Sequence, residues 1–67
     1  MVQRGDTLLT IEGVRQLLRV SRPTLERIIE RGDLPVVRVA PRSLRIRESV
    51  LLNYIEQRTE RRPALAR

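Results

Sequence analysis

The chain has 67 residues, enough for one small domain, and its formal net charge is +6. It contains neither cysteine nor histidine, which excludes disulfide bonds, the usual zinc ligands and the commonest general base. A chain of this length buries only about 60% of its unfolded surface, so its stability is expected to be marginal. We therefore expect one domain with no enzymatic activity, no metal and no other cofactor, in which Leu, Ile and Val form the core.

All 14 basic residues are arginine, and they are unevenly distributed. Residues 21–47 hold seven arginines against three acids, a net charge of +4, whereas the rest of the chain supplies only +2. Guanidinium groups bind phosphates and guanine edges through paired hydrogen bonds, so this segment is predicted to face a nucleic acid. The single aromatic residue, Tyr54, argues against RNA or single strands, which are bound through several stacked rings. No signal peptide or membrane-binding amphipathic run is visible, so we expect a cytoplasmic protein without a membrane partner.

The first predicted helix begins after Thr10. This threonine has the hydroxyl of an N-cap, and Glu12 places negative charge in the first turn, where the helix dipole favours it. An apolar face at helical spacing follows, formed by Ile11, Val14, Leu17 and Leu18. Gly13 weakens this helix by roughly 1 kcal/mol relative to alanine. Residues 7–9 are predicted to be a short extended segment, and residues 1–6 a loose leader.

A second helix is predicted from Ser21 to Arg31, after a turn at residues 19–20. Ser21 is a good N-cap, Pro23 suits the first turn, and Gly32 can take the left-handed conformation that ends a helix. One side of this helix carries an apolar stripe of Leu25, Ile28 and Ile29. The opposite side is polar and carries Arg22, Thr24, Arg27 and Arg31. Two short helices joined in this way indicate a helix-turn-helix.

Two short strands in which apolar and arginine residues alternate follow Pro35, which forbids further helix. They span residues 36–39 and 44–47, and the four residues between them form a turn containing Pro41. The apolar residues of the strands are expected to face the helices, namely Val37, Val39, Leu44 and Ile46. The arginines are expected to face solvent or a ligand, namely Arg38, Arg45 and Arg47. A hairpin directly after a helix-turn-helix is the wing of a winged-helix domain.

A third helix is predicted to begin at about Glu48 and to end near Thr59 or Arg61, before Pro63. One of its faces is expected to be apolar and to contain Val50, Leu51, Tyr54 and Ile55. The predicted fold is mainly α with a small β-hairpin, a winged helix-turn-helix of three helices plus a wing. Residues 1–67 form one domain in this prediction, with an ordered core over about residues 7–60 and a tail at 61–67.

The order of these motifs resembles the small winged-helix DNA-binding proteins of the excisionase and MerR-like group. The resemblance covers about residues 8–56, and its most specific pieces are LLT at residues 8–10, V-S-R-x-T at 20–24, G-x-L-P at 32–35 and the R-I and V-L pairs within 45–51. The chain departs from the family pattern at Gly13, Glu26 and the Ala40-Pro41 wing tip. These departures affect the expected base preference and wing depth more than the expected fold.

The resemblance implies that the second helix lies in the major groove of duplex DNA while the wing tip reaches the adjacent minor groove. The candidate DNA-binding residues of the helix are Ser21, Arg22, Pro23, Thr24, Arg27 and Arg31. Those of the wing are Arg38, Arg42, Arg45 and Arg47, with Arg42 in the minor groove and the other three on phosphates. As an alternative for the helix, Arg22 and Arg27 could form intrahelical salt bridges with Glu26 and Glu30.

For function, the resemblance implies a phage excisionase, or recombination directionality factor. Such a protein binds beside further copies of itself, bends duplex DNA and directs a phage integrase towards excision in the nucleoid of a bacterial host. The alternative with the same fold is a small MerR-like or AlpA-type transcription regulator. A protein-interaction module is a third hypothesis, and it predicts binding that survives high salt, unlike phosphate-dominated binding.

Overall fold

A computed structural model of the protein describes residues 6–60, which form three helices and one antiparallel sheet of three strands. In chain order the elements are β1 (Leu8–Thr10), α1 (Ile11–Leu18), α2 (Arg22–Glu30), β2 (Val37–Ala40), β3 (Ser43–Arg47) and α3 (Glu48–Arg58). The predicted fold class, a winged helix-turn-helix that is mainly α with a small β part, is confirmed. The predicted tail at 61–67, and all of the predicted leader except Asp6, lie outside the described residues.

The N-termini of α1 and α2 are capped as the sequence predicts. Thr10 Oγ1 accepts a hydrogen bond from the Gly13 amide at 2.9 Å, and Ser21 Oγ accepts one from the Thr24 amide at 3.3 Å. These hydroxyls satisfy amides that have no partner within the helix. A Cβ atom on Gly13 would lie 2.9 Å from Thr10 Oγ1, which is too close without a shift of the threonine. Gly13 has a low helix propensity, but its lack of a side chain leaves room for the Thr10 hydroxyl that caps α1.

The C-terminus of α2 also follows the prediction. Gly32 has a φ of +86°, in the left-handed region. Its amide donates to the Ile29 carbonyl at 2.9 Å, and the next amide, of Asp33, donates to the Ile28 carbonyl at 3.3 Å. This pair of bonds is the Schellman motif, which satisfies the last carbonyls of the helix and turns the chain sharply towards the sheet.

Gly32→Ala should destabilise the domain by about 1 kcal/mol, because an L side chain in the left-handed region is strained. Space is not the reason, since a Cβ atom at this position would meet nothing within 4 Å. Urea denaturation followed by circular dichroism measures the change. Gly32→Asn should cost less, because asparagine tolerates this conformation better than alanine does. An alanine variant as stable as the wild type would show that the turn does not need a left-handed residue.

The sheet has the strand order β1-β3-β2, so β3 is its central strand. The segment predicted only to be extended before α1 is thus an edge strand, with Leu8 opposite Arg47 and Leu9 opposite Ile46. This pairing joins residues almost forty positions apart. It attaches the start of α1 directly to the wing and places the first helix beside β3.

The prediction that Val37 and Val39 face the helices is wrong. Val37 pairs with Arg45, and residues that pair across an antiparallel ladder lie on the same face, so Val37 lies on the face opposite Ile46. The valine that packs against the core is its neighbour, Val36. Val39 falls in an irregularity of the ladder, and 48% of its surface is exposed.

The same register changes the face of the sheet that carries one strand arginine, although this arginine is exposed to solvent as predicted. Arg38 pairs with Leu44, so it lies on the face of the sheet that also carries Leu44 and Ile46, and not on the face of Arg45. The physical cause is the irregularity between Arg38 and Ala40, which adds one residue to β2 relative to β3 and shifts the alternation by one position. Beyond the irregularity, each β2 side chain therefore lies on the face of the sheet opposite to the one that simple alternation from the turn predicts.

Six side chains from five parts of the chain form the core, and all are at most 7% exposed: Val14, Leu25, Ile28, Leu34, Ile46 and Leu51. Leu34 comes from the loop between α2 and β2 and has no exposed surface. The predicted apolar faces of α1 and α3 are too wide, because Leu17 is 65% exposed and Ile55 is 42% exposed. Each lies at the edge of its helix's buried stripe, where nothing among residues 6–60 covers it.

Candidate nucleic-acid interface

Helix α2 separates its apolar and basic residues cleanly. Leu25 is fully buried and Ile28 is 7% exposed. Outside this buried stripe, the side chain of Arg22 is 61% exposed, and Arg27 is also exposed. The remaining predicted contacts of this helix are exposed, except for Thr24, which is half-buried: Ser21, Pro23, Thr24 and Arg31. The predicted basic face of α2 therefore points outwards.

The arginines of this face have few internal partners. Arg22 Nε lies 3.4 Å from Glu26 Oε2, as the salt-bridge alternative predicted, but more than half of each side chain is exposed and such pairs are weak. The alternative pair of Arg27 with Glu30 is not formed in the part of the chain that the structure describes. Arg27 Nη2 instead approaches Thr24 Oγ1 at 3.5 Å, the outer limit of a hydrogen bond. Both guanidinium groups keep donors for an external acceptor.

Arg31 differs from these two because it lies at the other end of α2 and contacts a carboxylate. Its Nε atom is 3.3 Å from Asp33 Oδ2, and Arg58 Nη2 donates to the same oxygen at 2.9 Å. Arg58 also lies over the ring of Tyr54, 4.6 Å from its centroid, and Tyr54 packs against the core as predicted. This cluster ties the end of α2 to α3, so Arg31 has to be shared between the protein and any ligand.

The wing arginines are held to different degrees. Arg38 Nη1 donates to the Pro41 carbonyl at 2.7 Å, which braces the turn, and Arg45 Nη1 donates to the Leu44 carbonyl at 2.9 Å. Arg42, at the tip, is exposed and makes no hydrogen bond or ion pair within residues 6–60. Among the described residues, the wing therefore offers one guanidinium with all its donors available, that of Arg42, and two that donate to backbone carbonyls, those of Arg38 and Arg45.

Arg47 contacts Asp6, a residue that sequence analysis placed in the loose leader. Asp6 Oδ2 accepts from Arg47 Nη1 at 3.3 Å, and Asp6 Oδ1 accepts from the Ser49 amide at 3.2 Å. The N-cap position of α3 is Arg47 itself, whose side chain makes no capping bond, so Asp6 caps this helix from more than forty residues away. The Ser49 amide, assisted by the charge of Arg47, holds the pKa of Asp6 below its usual value. No local sequence signal links this acid to α3.

Asp6→Asn should flatten the loss of stability in acid. Because the pKa of Asp6 is lowered in the folded state, its charge stabilises the fold fully above the unfolded pKa of about 3.9, and this contribution is lost as the pH falls through the folded pKa. Urea midpoints measured from pH 6 to pH 2 should therefore fall less steeply for Asp6→Asn than for the wild type. Asp6→Ala should show the same shallow slope and a lower midpoint at pH 7, since asparagine keeps an acceptor for Ser49. Parallel curves for wild type and Asp6→Asn would contradict the capping role.

Three of the ten predicted contacts meet at one place. Arg22, Arg42 and Arg45 line an open hollow of about 270 Å³ between the start of α2 and the wing. Arg27 lies farther along the exposed side of α2, whereas Arg31, Arg38 and Arg47 have the separate contacts described above. The structure thus gathers the basic residues of two distant segments at the junction of helix and wing.

Other kinds of site find little support in the described part of the chain. No three His, Cys, Asp or Glu side chains among residues 6–60 come together as a group that could hold a metal ion. None of the helices in this part is long and apolar enough to cross a membrane.

Comparison with known proteins identifies the family. Residues 8–59 match the model of the family described as "Helix-turn-helix domain". Two proteins of Mycobacterium tuberculosis, each named "Putative DNA-binding protein" (MT0521 of strain CDC 1551 / Oshkosh and Rv0500A of strain ATCC 25618 / H37Rv), are 41% identical to this chain over 54 residues. The aligned region covers 81% of this chain and 68% of each relative. No solved structure is similar enough to count as a match. With its winged fold and its outward basic face, this chain belongs to the helix-turn-helix domain family of DNA-binding proteins.

Proposed function

We propose that the chain binds duplex DNA with α2 in the major groove and the wing in the adjacent minor groove. The observation that carries this proposal is the exposure of Arg22 and Arg27 on α2, outside the stripe of the buried Leu25 and Ile28. The major groove is about 12 Å wide and admits one α-helix, whose outer side chains then reach base edges. The exposed side of α2 has the shape and charge that this position needs.

The proposed contacts divide into three groups. Ser21, Pro23 and Thr24 lie at the start of α2, and with Arg22 and Arg27 they would meet bases or nearby phosphates. The exposed tip residue Arg42 would enter the minor groove. The arginines that the protein already holds by other contacts would meet phosphates, which set affinity and orientation more than sequence: Arg31, Arg38, Arg45 and Arg47.

We further propose that the protein acts as a phage excisionase, which would place it on the nucleoid in the cytoplasm of a bacterial host. In this role several copies bind side by side, bend an attachment site and direct a phage integrase towards excision. The similarity of the LLT, V-S-R-x-T and G-x-L-P segments to excisionase-group proteins supports the role. Bending a site by 40–90° costs on the order of 1–6 kcal/mol, which contacts between neighbouring copies would offset.

The experiment combines a gel shift on attachment-site DNA, a circular-permutation bending assay and integrase-mediated excision in vitro. An excisionase should give several cooperative shifted bands, a bent complex and a higher yield of excised product. A matched control is the same duplex with a scrambled site, which should bind without cooperativity. A single unbent complex with no effect on excision would contradict the excisionase role.

The excision assay and a promoter reporter together distinguish an excisionase from the alternative, a transcription regulator of the MerR-like or AlpA type. Such a protein should repress or activate a promoter reporter that contains its site and leave excision unchanged. Binding to duplex DNA should weaken steeply as salt rises in either role, because released counterions drive phosphate contacts. Binding to a protein partner that persists at high salt would instead favour a protein-interaction module.

A further inference from the structure

Three arginines from two distant segments of the chain line one hollow at the junction of α2 and the wing. The hollow that they line, called here the junction hollow, has a volume of about 270 Å³ and is formed by Ile11, Arg22, Arg42, Ser43, Leu44 and Arg45. This volume equals that of roughly nine molecules of liquid water, which leaves room for a tetrahedral oxyanion with some of its hydration. None of these lining residues is acidic.

The positive charge in the junction hollow is only partly compensated. Arg42 has no hydrogen bond or ion pair to any residue from 6 to 60. Arg45 Nη1 donates to the Leu44 carbonyl, and the other nitrogens of this guanidinium keep their N–H groups for an external acceptor. Arg22 makes one ion pair, the exposed contact with Glu26 at 3.4 Å, and its charge also helps to lower the pKa of Glu12. Like charges gathered in one hollow repel each other, and an anion bound among them relieves that repulsion.

The helix backbones also favour an anion in the junction hollow. Ile11 is the first residue of α1 and Arg22 is the first residue of α2, and both line the junction hollow. The positive ends of two helix dipoles therefore lie beside it, and these ends favour negative charge. The Ser43 hydroxyl, at the start of β3, offers a further donor.

We propose that the junction hollow is a site for a single phosphate group. In the DNA complex the occupant is the phosphate on the strand that separates the major groove from the adjacent minor groove, because that strand has to cross the junction of helix and wing. The identity of this occupant rests on the proposed function, whereas the affinity of the hollow for a tetrahedral oxyanion does not. In this inference Arg42 holds that phosphate at the edge of the minor groove instead of entering the groove. One phosphate held from both sides fixes the angle between α2 and the wing on DNA.

The first test uses the DNA-free protein and inorganic phosphate, with chloride at matched ionic strength as the reference. Saturable shifts are expected in the backbone amide NMR signals of Arg22, Ser43 and Leu44. Arg42→Gln should weaken phosphate binding about tenfold, the effect of losing a charge-assisted hydrogen bond. Arg19→Gln removes the same charge from an exposed residue that does not line the junction hollow, and it should leave the affinity unchanged. Equal shifts in chloride, or equal losses in both variants, would overturn the proposal.

The second test uses duplex DNA in which one phosphate at a time is replaced by an uncharged methylphosphonate. One position should weaken wild-type binding most, and Arg42→Gln should be insensitive to that replacement. The Arg22→Gln and Arg42→Gln variants should also be non-additive by about threefold or more, since both remove contacts to one group. Additive losses with no shared position would assign the arginines to separate phosphates and overturn the inference while leaving DNA binding intact. Failure of the wild type to bind any duplex would overturn the proposed function instead, and the inorganic phosphate titration would still decide the hollow.

Discussion

Leu34→Ala should destabilise the domain by about 2–5 kcal/mol, the usual cost of removing a buried leucine side chain. Leu34 has no exposed surface and belongs to the same buried cluster as Leu25 of α2 and Ile46 of β3. It follows the Schellman turn at Gly32 directly and is the loop residue that anchors α2 against the sheet. Small domains have only a few kcal/mol of net stability, so this loss should leave a large fraction of the variant unfolded at 25 °C.

Urea denaturation followed by far-UV circular dichroism measures this effect. The matched control is Leu52→Ala, which removes the same atoms from a leucine of α3 that is 58% exposed. Its stability should stay within about 0.5 kcal/mol of the wild type, as for most surface substitutions. Equal effects from the two variants would show that the loop after α2 does not carry core packing.

The helix-turn-helix could be predicted from the sequence because its signals are local. Ser21 and Gly32 mark the two ends of α2 through capping chemistry that involves residues within one turn. The spacing of Leu25 and Ile28 identifies the buried side of the same helix. Thr10 does the same for the start of α1. Each of these features depends on residues three or four positions apart, which a sequence shows directly.

The features that could not be predicted depend on pairing between distant segments. The edge strand β1 exists because Leu9 pairs with Ile46, and the cap of α3 exists because Asp6 reaches Ser49. Leu34 reads as a loop residue, and only the folded chain places it in the core. The side chains of β2 lie on the faces opposite to those predicted because an irregularity near Val39 adds one residue to this strand. The alternation of apolar and arginine residues in the sequence does not reveal this irregularity.

The candidate site shows the same division. The arginine face of α2 was predicted from helical spacing, and the structure exposes it. The convergence of Arg22 with Arg42 and Arg45 was not predicted, because it depends on how close the wing comes to the start of α2. The partners of Arg31 and Arg47, two carboxylates that compete with any phosphate, were likewise visible only in the fold.

Arg27→Ala should weaken specific binding to duplex DNA by about 1–3 kcal/mol, or roughly five- to 150-fold, if this arginine reads a base edge from the major groove. The fold should be unaffected, because the internal contact of Arg27 is a single 3.5 Å approach to Thr24 on the exposed side of α2. Binding to scrambled DNA should fall much less, since base contacts carry sequence and phosphate contacts do not. Fluorescence anisotropy on matched and scrambled duplexes at one fixed salt concentration gives both affinities. Arg67→Ala removes the same charge from the last residue of the chain and controls for the change in net charge. A loss as large for Arg67→Ala, or an equal loss on both duplexes, would mean that the outward side of α2 does not read sequence, and the proposed docking of this helix would be wrong.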